Sequence, residues 1–387
     1  MQHNTRTGFR EVCQLRSLAD AFGQLTDQRK KRGIRYELGP LLVLMVLAKL
    51  SGADTPSAIA EWVAWRAEGL KHALGLEWRR MPHHSTYRRL LQHGLEMNEL
   101  EQMAGEFLRA LGSDSELLNL DGKTLRGTIP GGQTRGAHLL SLYQAETGLV
   151  FEQSSVARKE NEISAAPRLL AKVNLTGKIV TGDALLAQRK LSRRIVKAGG
   201  DFLWTIKDNQ PLTHRAIADL FTAERAGPGP RTHDFCTAQE WDKGHGRIER
   251  RRLTTSSLLN GYLKWPCLGQ VFELEREITD CRTQQRRLEK VCGLTSLQAA
   301  KADPARLLQL TRGHWSIENG LHYRRDVTFG EDRCRMKSHT AAEALAVINN
   351  LTLGLIRHAG WINVAEARRY YAARLGAALQ LIVRAPE

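Results

Sequence analysis

Leu117-Leu-Asn-Leu-Asp121 and Lys178-Ile-Val-Thr-Gly-Asp183 are two short apolar runs, each followed by an aspartate. Each reads as a buried strand that ends in an acid. Between them, His138-Leu-Leu-Ser-Leu-Tyr143 and Leu149-Val-Phe-Glu-Gln-Ser-Ser-Val156 are strand-like, and Thr147-Gly148 supplies the turn of a hairpin. Asn161 is placed to cap a helix through Val173, with Glu162 in its favourable first turn. After Asp183 an amphipathic helix is predicted from about Ala184 to Lys197, stopped by Gly199-Gly200. Asp201-Phe-Leu-Trp-Thr-Ile-Lys207 is a further strand, and a helix starts at Pro211. Three strands in a row, then strands alternating with helices, predict an α/β core built on a mixed sheet.

Working outward, residues 1–112 read as a helical unit, with an apolar helix from Gly39-Pro40 to near Gly52 and another from Pro56. Ser85-Thr-Tyr-Arg-Arg-Leu-Leu91 reads as a further helix with Ser85 as cap and arginines free to face phosphates. This unit reads equally as a DNA-binding module or as a packing and dimerisation domain. The core's first part is placed at 113–221. Residues 222–303 break the alternation and read as a β-rich insertion, with strand-like runs at 247–255, 270–278 and 288–295. Residues 304–387 complete the core, beginning with a long helix from Asp303-Pro304 through Trp315 and Glu318 toward Phe329; Ala341 to His358 is a late core helix.

The chain has 387 residues, enough for more than one structural unit, and 42% hydrophobic residues, enough for a real core. Lys plus Arg number 57 against 41 acidic residues, so the net charge of +16 favours a polyanionic partner, with nucleic acid first. The six cysteines include no CxxC pair, which argues against a zinc ribbon, and no signal-peptide pattern precedes them, so reduced thiols in a cytosol are expected. The apolar stretch Leu41–Ala48 is too short to span a bilayer.

Acids at strand ends are where ligand-binding groups collect in α/β sheets. Asp121 and Asp183 on neighbouring strands can share Mg²⁺, which takes hard oxygen ligands. Read singly, each aspartate is better explained as a cap or turn residue. The third acid comes from Arg312-Gly-His-Trp-Ser-Ile-Glu-Asn-Gly-Leu-His322. His314, Glu318 and His322 recur every four residues, and Asp326 continues the row on one helix face. A zinc site on this row ranks below magnesium because the HExxH signature is missing; a salt-bridged exposed face is the plain alternative. Lys123 and Arg126 follow Asp121, but the Gly-Lys-Thr there is no P-loop, since position 117 is leucine. Lys207 is placed to contact a phosphate. Lys243-Gly-His-Gly-Arg-Ile-Glu-Arg-Arg-Arg252 reads as a loop able to hug a DNA backbone or as a solvated hairpin edge.

This set of motifs resembles the DDE transposases of bacterial insertion sequences, and more narrowly their H-repeat-associated, ISAs-type branch. The pieces are Asp121-Gly-Lys-Thr-Leu-Arg-Gly127, Lys159-Glu-Asn-Glu-Ile163, Ile179-Val-Thr-Gly-Asp-Ala184, Gly199-Gly-Asp-Phe-Leu203, Lys207-Asp-Asn-Gln210, Gly244-His-Gly-Arg-Ile-Glu249, His314-Trp-Ser-Ile-Glu-Asn319 and Asp326-Val-Thr-Phe-Gly-Glu-Asp332. Leu25-Thr-Asp-Gln-Arg29 and His84-Ser-Thr-Tyr-Arg-Arg-Leu90 resemble the family's associated N-terminal domain, so the likeness covers nearly the whole chain. The resemblance implies an RNase H-like core with a β-rich insertion and an N-terminal helical domain. It implies Asp121, Asp183 and Glu318 as catalytic metal ligands, Mg²⁺ or Mn²⁺ as cofactor, and double-stranded DNA as partner, both transposon ends and target. A homodimeric working complex in the cytoplasm, associated with the nucleoid when DNA-bound, is also implied. Lys123, Arg126, Lys207, His245, Arg247, Arg312, His314, His322 and Arg325 are the expected DNA contacts. The chain departs from the common Tyr-Arg-Glu-Lys signature, whose positions correspond to Thr311, His314, Glu318 and Arg325. Two neighbouring readings remain, a DNA-binding relative that no longer cuts and a structure-specific nuclease on the same core.

Overall fold

A computed structural model describes residues 17–32, 34–112, 115–129, 132, 136–157, 159–227, 234–244, 246–334 and 336–383. His245 lies outside the described residues. The described residues open with six helices: α1 (Leu18–Gly23), α2 (Leu38–Leu50), α3 (Pro56–Trp65), α4 (Ala67–Leu74), α5 (His84–His93) and α6 (Met97–Leu111). Strand β1 (Leu117–Leu125), the hairpin β2 (Ala137–Gln144) and β3 (Leu149–Val156), helix α7 (Glu162–Leu170) and β4 (Ile179–Gly182) follow. Next come α8 (Arg189–Lys197), β5 (Asp201–Ile206), α9 (Pro211–Ala226) and the four strands β6 (Cys236–Gly244), β7 (Arg247–Ser256), β8 (Gln270–Asp280) and β9 (Arg286–Thr295). The chain closes with α10 (Pro304–His314), α11 (His339–His358), α12 (Val364–Ala373) and α13 (Leu375–Val383).

All nine strands form one sheet in the order β3-β2-β1-β4-β5-β9-β8-β7-β6. β1, β4 and β5 run parallel, and every other neighbour is antiparallel. The β-rich insertion is therefore an extension of the core sheet, joined through β5 and β9. Its first strand, β6, went unseen in the sequence because Cys236–Gly244 is mostly polar, with no apolar alternation, and is exposed along most of its length. It is an edge strand held by β7 alone, so no apolar face is needed to build it.

α2 is buried around nearly its whole circumference, which its apolar run requires. It belongs to one apolar cluster that also takes in α5, α6, β2, β3 and α11, so the first six helices and the sheet share a core. α12 is tied back to α2: Arg368 grips both Asp54 carboxylate oxygens at 2.7 Å and donates to the Lys49 carbonyl at 2.9 Å. Thr55 caps α3 as its Thr-Pro start suggests. α5 begins two residues earlier than expected, with His83 as its cap in place of Ser85. The helix after Asp183 is also shorter at its start, a 3₁₀ turn at Ala184–Leu186 standing between the acid and α8. No helix among the described residues is long and apolar enough to cross a membrane.

Arg325 is a correction to the sequence reading. Its side chain is 0% exposed, with Nε donating to both Glu331 oxygens at 2.8 and 2.9 Å and Nη1 to Gln153 Oε1 at 3.1 Å. Asn349 and Asn350 on α11 complete this buried network through the same two acceptors. A phosphate cannot reach it. Removing one member leaves a buried charge unpaired, which costs roughly 3 to 5 kcal/mol. Arg325→Met is expected to lower stability by about that much in denaturant unfolding, and Arg325→Met with Glu331→Met to restore most of it.

Candidate metal centre

The parallel ladder between β1 and β4 ends at the pair Leu120 and Gly182. Asp121 and Asp183 are the next residue on each strand, so both acids stand at the point where the parallel strands part. Asp121 is not the last residue of its strand, as the sequence suggested; β1 runs on to Leu125, paired with β2. Asp183 follows directly on β4 and caps the turn after it, its Oδ1 accepting from the amides of Leu185 at 2.9 Å and Leu186 at 3.3 Å. That turn is pinned from the next strand's end, where Asn209 donates to the Ala184 carbonyl and Gln210 to that of Ala187 at 3.3 Å. The Lys207-Asp-Asn-Gln210 motif thus shapes the loop carrying Asp183, and Lys207 itself is exposed beyond β5.

The third acid arrives along β1. Asn119, Asp121 and Lys123 alternate onto one face of that strand. Asn119 is 0% exposed and donates to the carbonyls of Gly313 at 2.7 Å and His314 at 3.3 Å, capping the end of α10. Gly313 makes this approach possible, since a Cβ there would lie 2.3 Å from Leu117 Cδ2. Past α10 the helical path continues as two wider π turns, Glu318–His322 and Arg324–Thr328, where the sequence predicted an uninterrupted α-helix. Four residues overshoot an α turn by about 40° but fall short of a π turn, so the drift of the His-Glu-His-Asp row reverses and the row stays over β1.

The result is a cluster of Asp121, Glu318 and His322, whose candidate ligand atoms lie within 4.8 Å of one another. His322 is buried and its Nε2 lies 3.0 Å from Asp121 Oδ2; Asp121 Oδ1 accepts from the Gly122 amide at 2.9 Å. Two carboxylates and an imidazole suit a divalent cation that accepts oxygen and nitrogen. Asp183 stands beside this cluster and outside its 4.8 Å circle. Its coupling is electrostatic: partial burial, with the charges of Glu162 and Asp121, pushes its carboxyl above the usual carboxylate range, against the pull of the two amides.

Glu162 is the residue sequence reading undervalued. It approaches from the other face of β1, above Gly122, where an added Cβ would meet its Oε1 at 2.1 Å. His138 holds it at 2.8 Å and is itself bonded to Thr124 at 2.8 Å. The signal available was the Lys159-Glu-Asn-Glu-Ile163 motif, in which Glu162 reads as an ordinary first-turn acid. His314 is half-buried against Thr181, whose hydroxyl lies 2.8 Å from Asn119 Oδ1 and 3.0 Å from His314 Nδ1. That hydroxyl has one proton, given to Asn119, so His314 Nδ1 is the donor to Thr181. Burial holds the His314 imidazole below its ordinary value, with Asp121 pulling the other way.

Several expected phosphate contacts have other work. Lys123 is buried in an ion pair with Asp326, and His322 serves Asp121. Arg312 is paired to Glu240 at 2.7 Å and Asp242 at 3.3 Å, and Arg247 to Glu249 at 2.7 Å. Arg126 is 79% exposed near the site's rim, with Asp332 at 3.9 Å.

Residues 112–355, more than half of the chain, match the family described as Transposase DDE domain. The chain belongs to the DDE transposase family. Its residues 19–108 match the domain described as DDE_Tnp_1-associated. It is 27% identical over 365 residues to YhhI, an H repeat-associated protein of Escherichia coli (strain K12), covering 89% of this chain and 91% of that one. YbfL of the same organism matches with the same identity and coverage. A protein encoded in the dhlA 3′ region of Xanthobacter autotrophicus is 31% identical over 272 residues, 67% of this chain and 88% of that one. Among solved structures, the piggyBac transposase synaptic complex with hairpin DNA superposes at TM-score 0.47 and 9% identity, over 95% of this chain and 80% of that one, too distant to build on. The sheet with its insertion and N-terminal helices is thus the RNase H-like core of a DDE transposase, a metal-dependent class.

A carboxyl raised in the folded state favours folding only while it is protonated, and that stability is lost as pH rises above the unfolded value. Asp183→Asn is therefore expected to raise the thermal midpoint of the metal-free protein at neutral pH relative to the unsubstituted chain. The gain should vanish below about pH 4, where both states of the aspartate are protonated.

Proposed function

We propose that this transposase cuts the ends of an insertion sequence and joins them to target DNA, with Asp121, Asp183 and Glu318 as its catalytic metal ligands and Mg²⁺ or Mn²⁺ as cofactor. The observation that carries the reading is the meeting of Asp121 and Glu318, remote in sequence, with His322 at the parting of the parallel strands. A bound divalent cation pair would neutralise phosphoryl charge and stabilise the attacking and leaving oxygens.

The chain's own residues supply the geometry. His322 and the Gly122 amide fix the two Asp121 oxygens, and the Leu185 and Leu186 amides hold one Asp183 oxygen, so both carboxylates are oriented before a cation arrives. In the first reaction a water oxygen attacks an end phosphorus; the P–O bond to the 3′ oxygen breaks and that oxygen leaves as a hydroxyl. In the second, this 3′-hydroxyl attacks a target phosphorus, a new P–O bond replaces one broken in the target, and a target 3′-hydroxyl is released. Each exchange conserves the number of P–O bonds and needs no nucleotide cofactor. Lys207, exposed just after β5, and Arg126, exposed past the end of β1, would hold the strand in line for attack. His314, its Nδ1 proton held by Thr181 and its imidazole kept below the ordinary value by burial, would offer Nε2 as an acceptor. Joining two ends requires two such sites, which a homodimer would supply.

The test uses duplex DNA carrying the sequences that flank the gene. Asp121→Ala, Asp183→Ala and Glu318→Ala should each abolish Mg²⁺-dependent nicking, and a variant that nicks at the unsubstituted rate removes its residue from the site. His322→Ala should weaken Mn²⁺ binding about 10- to 100-fold, read from the thermal shift that the metal alone produces.

A further inference from the structure

We infer that the exposed face formed by α5 and the segment 27–37 grips the phosphate backbone of duplex DNA. Of the two readings open to the N-terminal helices this takes the DNA-binding one, locates it on a particular face in preference to the basic insertion, and rests on the transposase reading above.

The segment runs the length of α5. It begins at that helix's C-terminal end, where Asp27 bridges to Leu95 and the Gln28 amide donates to the Gly94 carbonyl at 3.2 Å. It finishes at the N-terminal end, where the Tyr36 ring packs edge-on against Trp78 at 4.8 Å and Trp78 bonds Glu37 at 2.9 Å. Arg29 staples it internally, bonded to Asp27 and to the Tyr36 carbonyl at 2.8 Å. On the segment, Lys30-Lys-Arg32 and Arg35 are exposed; Arg79-Arg80 lead into α5, and Arg88-Arg89 lie on its solvent side. The opposite side of α5 is its anchor, with Tyr87, Leu90 and Leu91 all 0% exposed. They pack toward α3 and α11, and α11 in turn lies on β2 and β3, so the face is fixed to the sheet.

What distinguishes this face from the rest of a basic protein is that its charge is unneutralised. Among the described residues, its one ion pair is that of Arg29 with Asp27. The insertion is as rich in arginine, yet its cations are matched by acids across the strands: Arg250 with Glu277 at 2.8 Å, Lys290 with Glu275 at 3.1 Å, Arg276 with Glu249 at 3.0 Å, Arg287 with Glu289 at 2.7 Å. Cations already paired with carboxylates release no counterions when a phosphate arrives; free ones do. A helix of ten residues spans about 15 Å, long enough to meet several phosphates of a duplex that carries one charge per ~1.7 Å. Arginine's fork suits that contact.

Binding of the full chain to a fluorescent duplex bearing the flanking sequences, measured by anisotropy in EDTA at several salt concentrations, tests this without metal chemistry. The quadruple variant Arg79→Gln, Arg80→Gln, Arg88→Gln, Arg89→Gln should lose at least about tenfold in affinity, and the slope of log K against log salt should flatten by about 2 to 4. Arg250→Gln with Arg287→Gln, on the insertion, should leave both unchanged. Circular dichroism and melting confirm folding; if the quadruple variant is unfolded, Lys30→Gln and Arg88→Gln singly should each flatten the slope by about 1. A folded variant with undiminished affinity and slope overturns the surface and leaves the transposase reading standing. Loss of binding in the variant, with no metal-dependent cutting by the unsubstituted chain, upholds the surface and overturns that reading instead. A chain with no duplex affinity at all overturns both.

Discussion

The docking of the 304–328 helical path along one face of β1 is the contact on which the site depends. Alternate strand residues repeat about every 6.7 Å and four helical residues rise about 6 Å, so the two periods nearly match. Asn119 meets the end of α10, Asp121 meets His322, and Lys123 meets Asp326. Each rung uses a polar pair, so a shift of helix against strand would strand three buried or half-buried groups at once. The glycine at 313 brings the two backbones close enough for the rungs to form. The π turns keep the row in register where a plain α-helix would wind away.

This arrangement explains why so many polar residues near the acids are not free to bind DNA. Lys123, His322 and Arg325 are basic residues on the path that carries the candidate metal ligands or on the strand it docks against, yet each is consumed by a partner that holds the helix or the carboxylates in place. The same rule operates on the insertion, where cross-strand pairs neutralise arginines that look available in the sequence. Sequence patterning counts charges; it does not show which are already answered. The unanswered ones collect around α5, whose buried side is apolar and therefore leaves its arginines facing water.

The acids themselves divide by environment. Asp121 is fixed between an amide and an imidazole, while Asp183 caps a turn and feels the charge of Glu162 as well as that of Asp121. Clustered carboxylates disfavour one another until a cation neutralises them. Gly122 lets Glu162 approach the same strand from the other side, so the centre is enclosed by acids on both faces of β1.

Much of the architecture was legible in local pattern. The apolar runs ending near Asp121 and Asp183, the hairpin turn at Thr147-Gly148 and the Asn161 cap each reflect short-range chemistry and mark elements that form where expected, while the four-residue spacing of His314, Glu318 and His322 marked a helical path whose π turns it did not show. β6 escaped because an exposed edge strand needs no apolar alternation, and the break at Trp315 escaped because its cause, the Asn119 side chain, lies on a distant strand. By itself the sequence determined the strands, the helix row and the supply of acids, since periodicity and capping act within a few residues. Only the tertiary structure decided that His322 would join Asp121 and Glu318, that Glu162 would come over Gly122, and that Arg325 would be core, because those outcomes depend on which surfaces meet after the chain has closed.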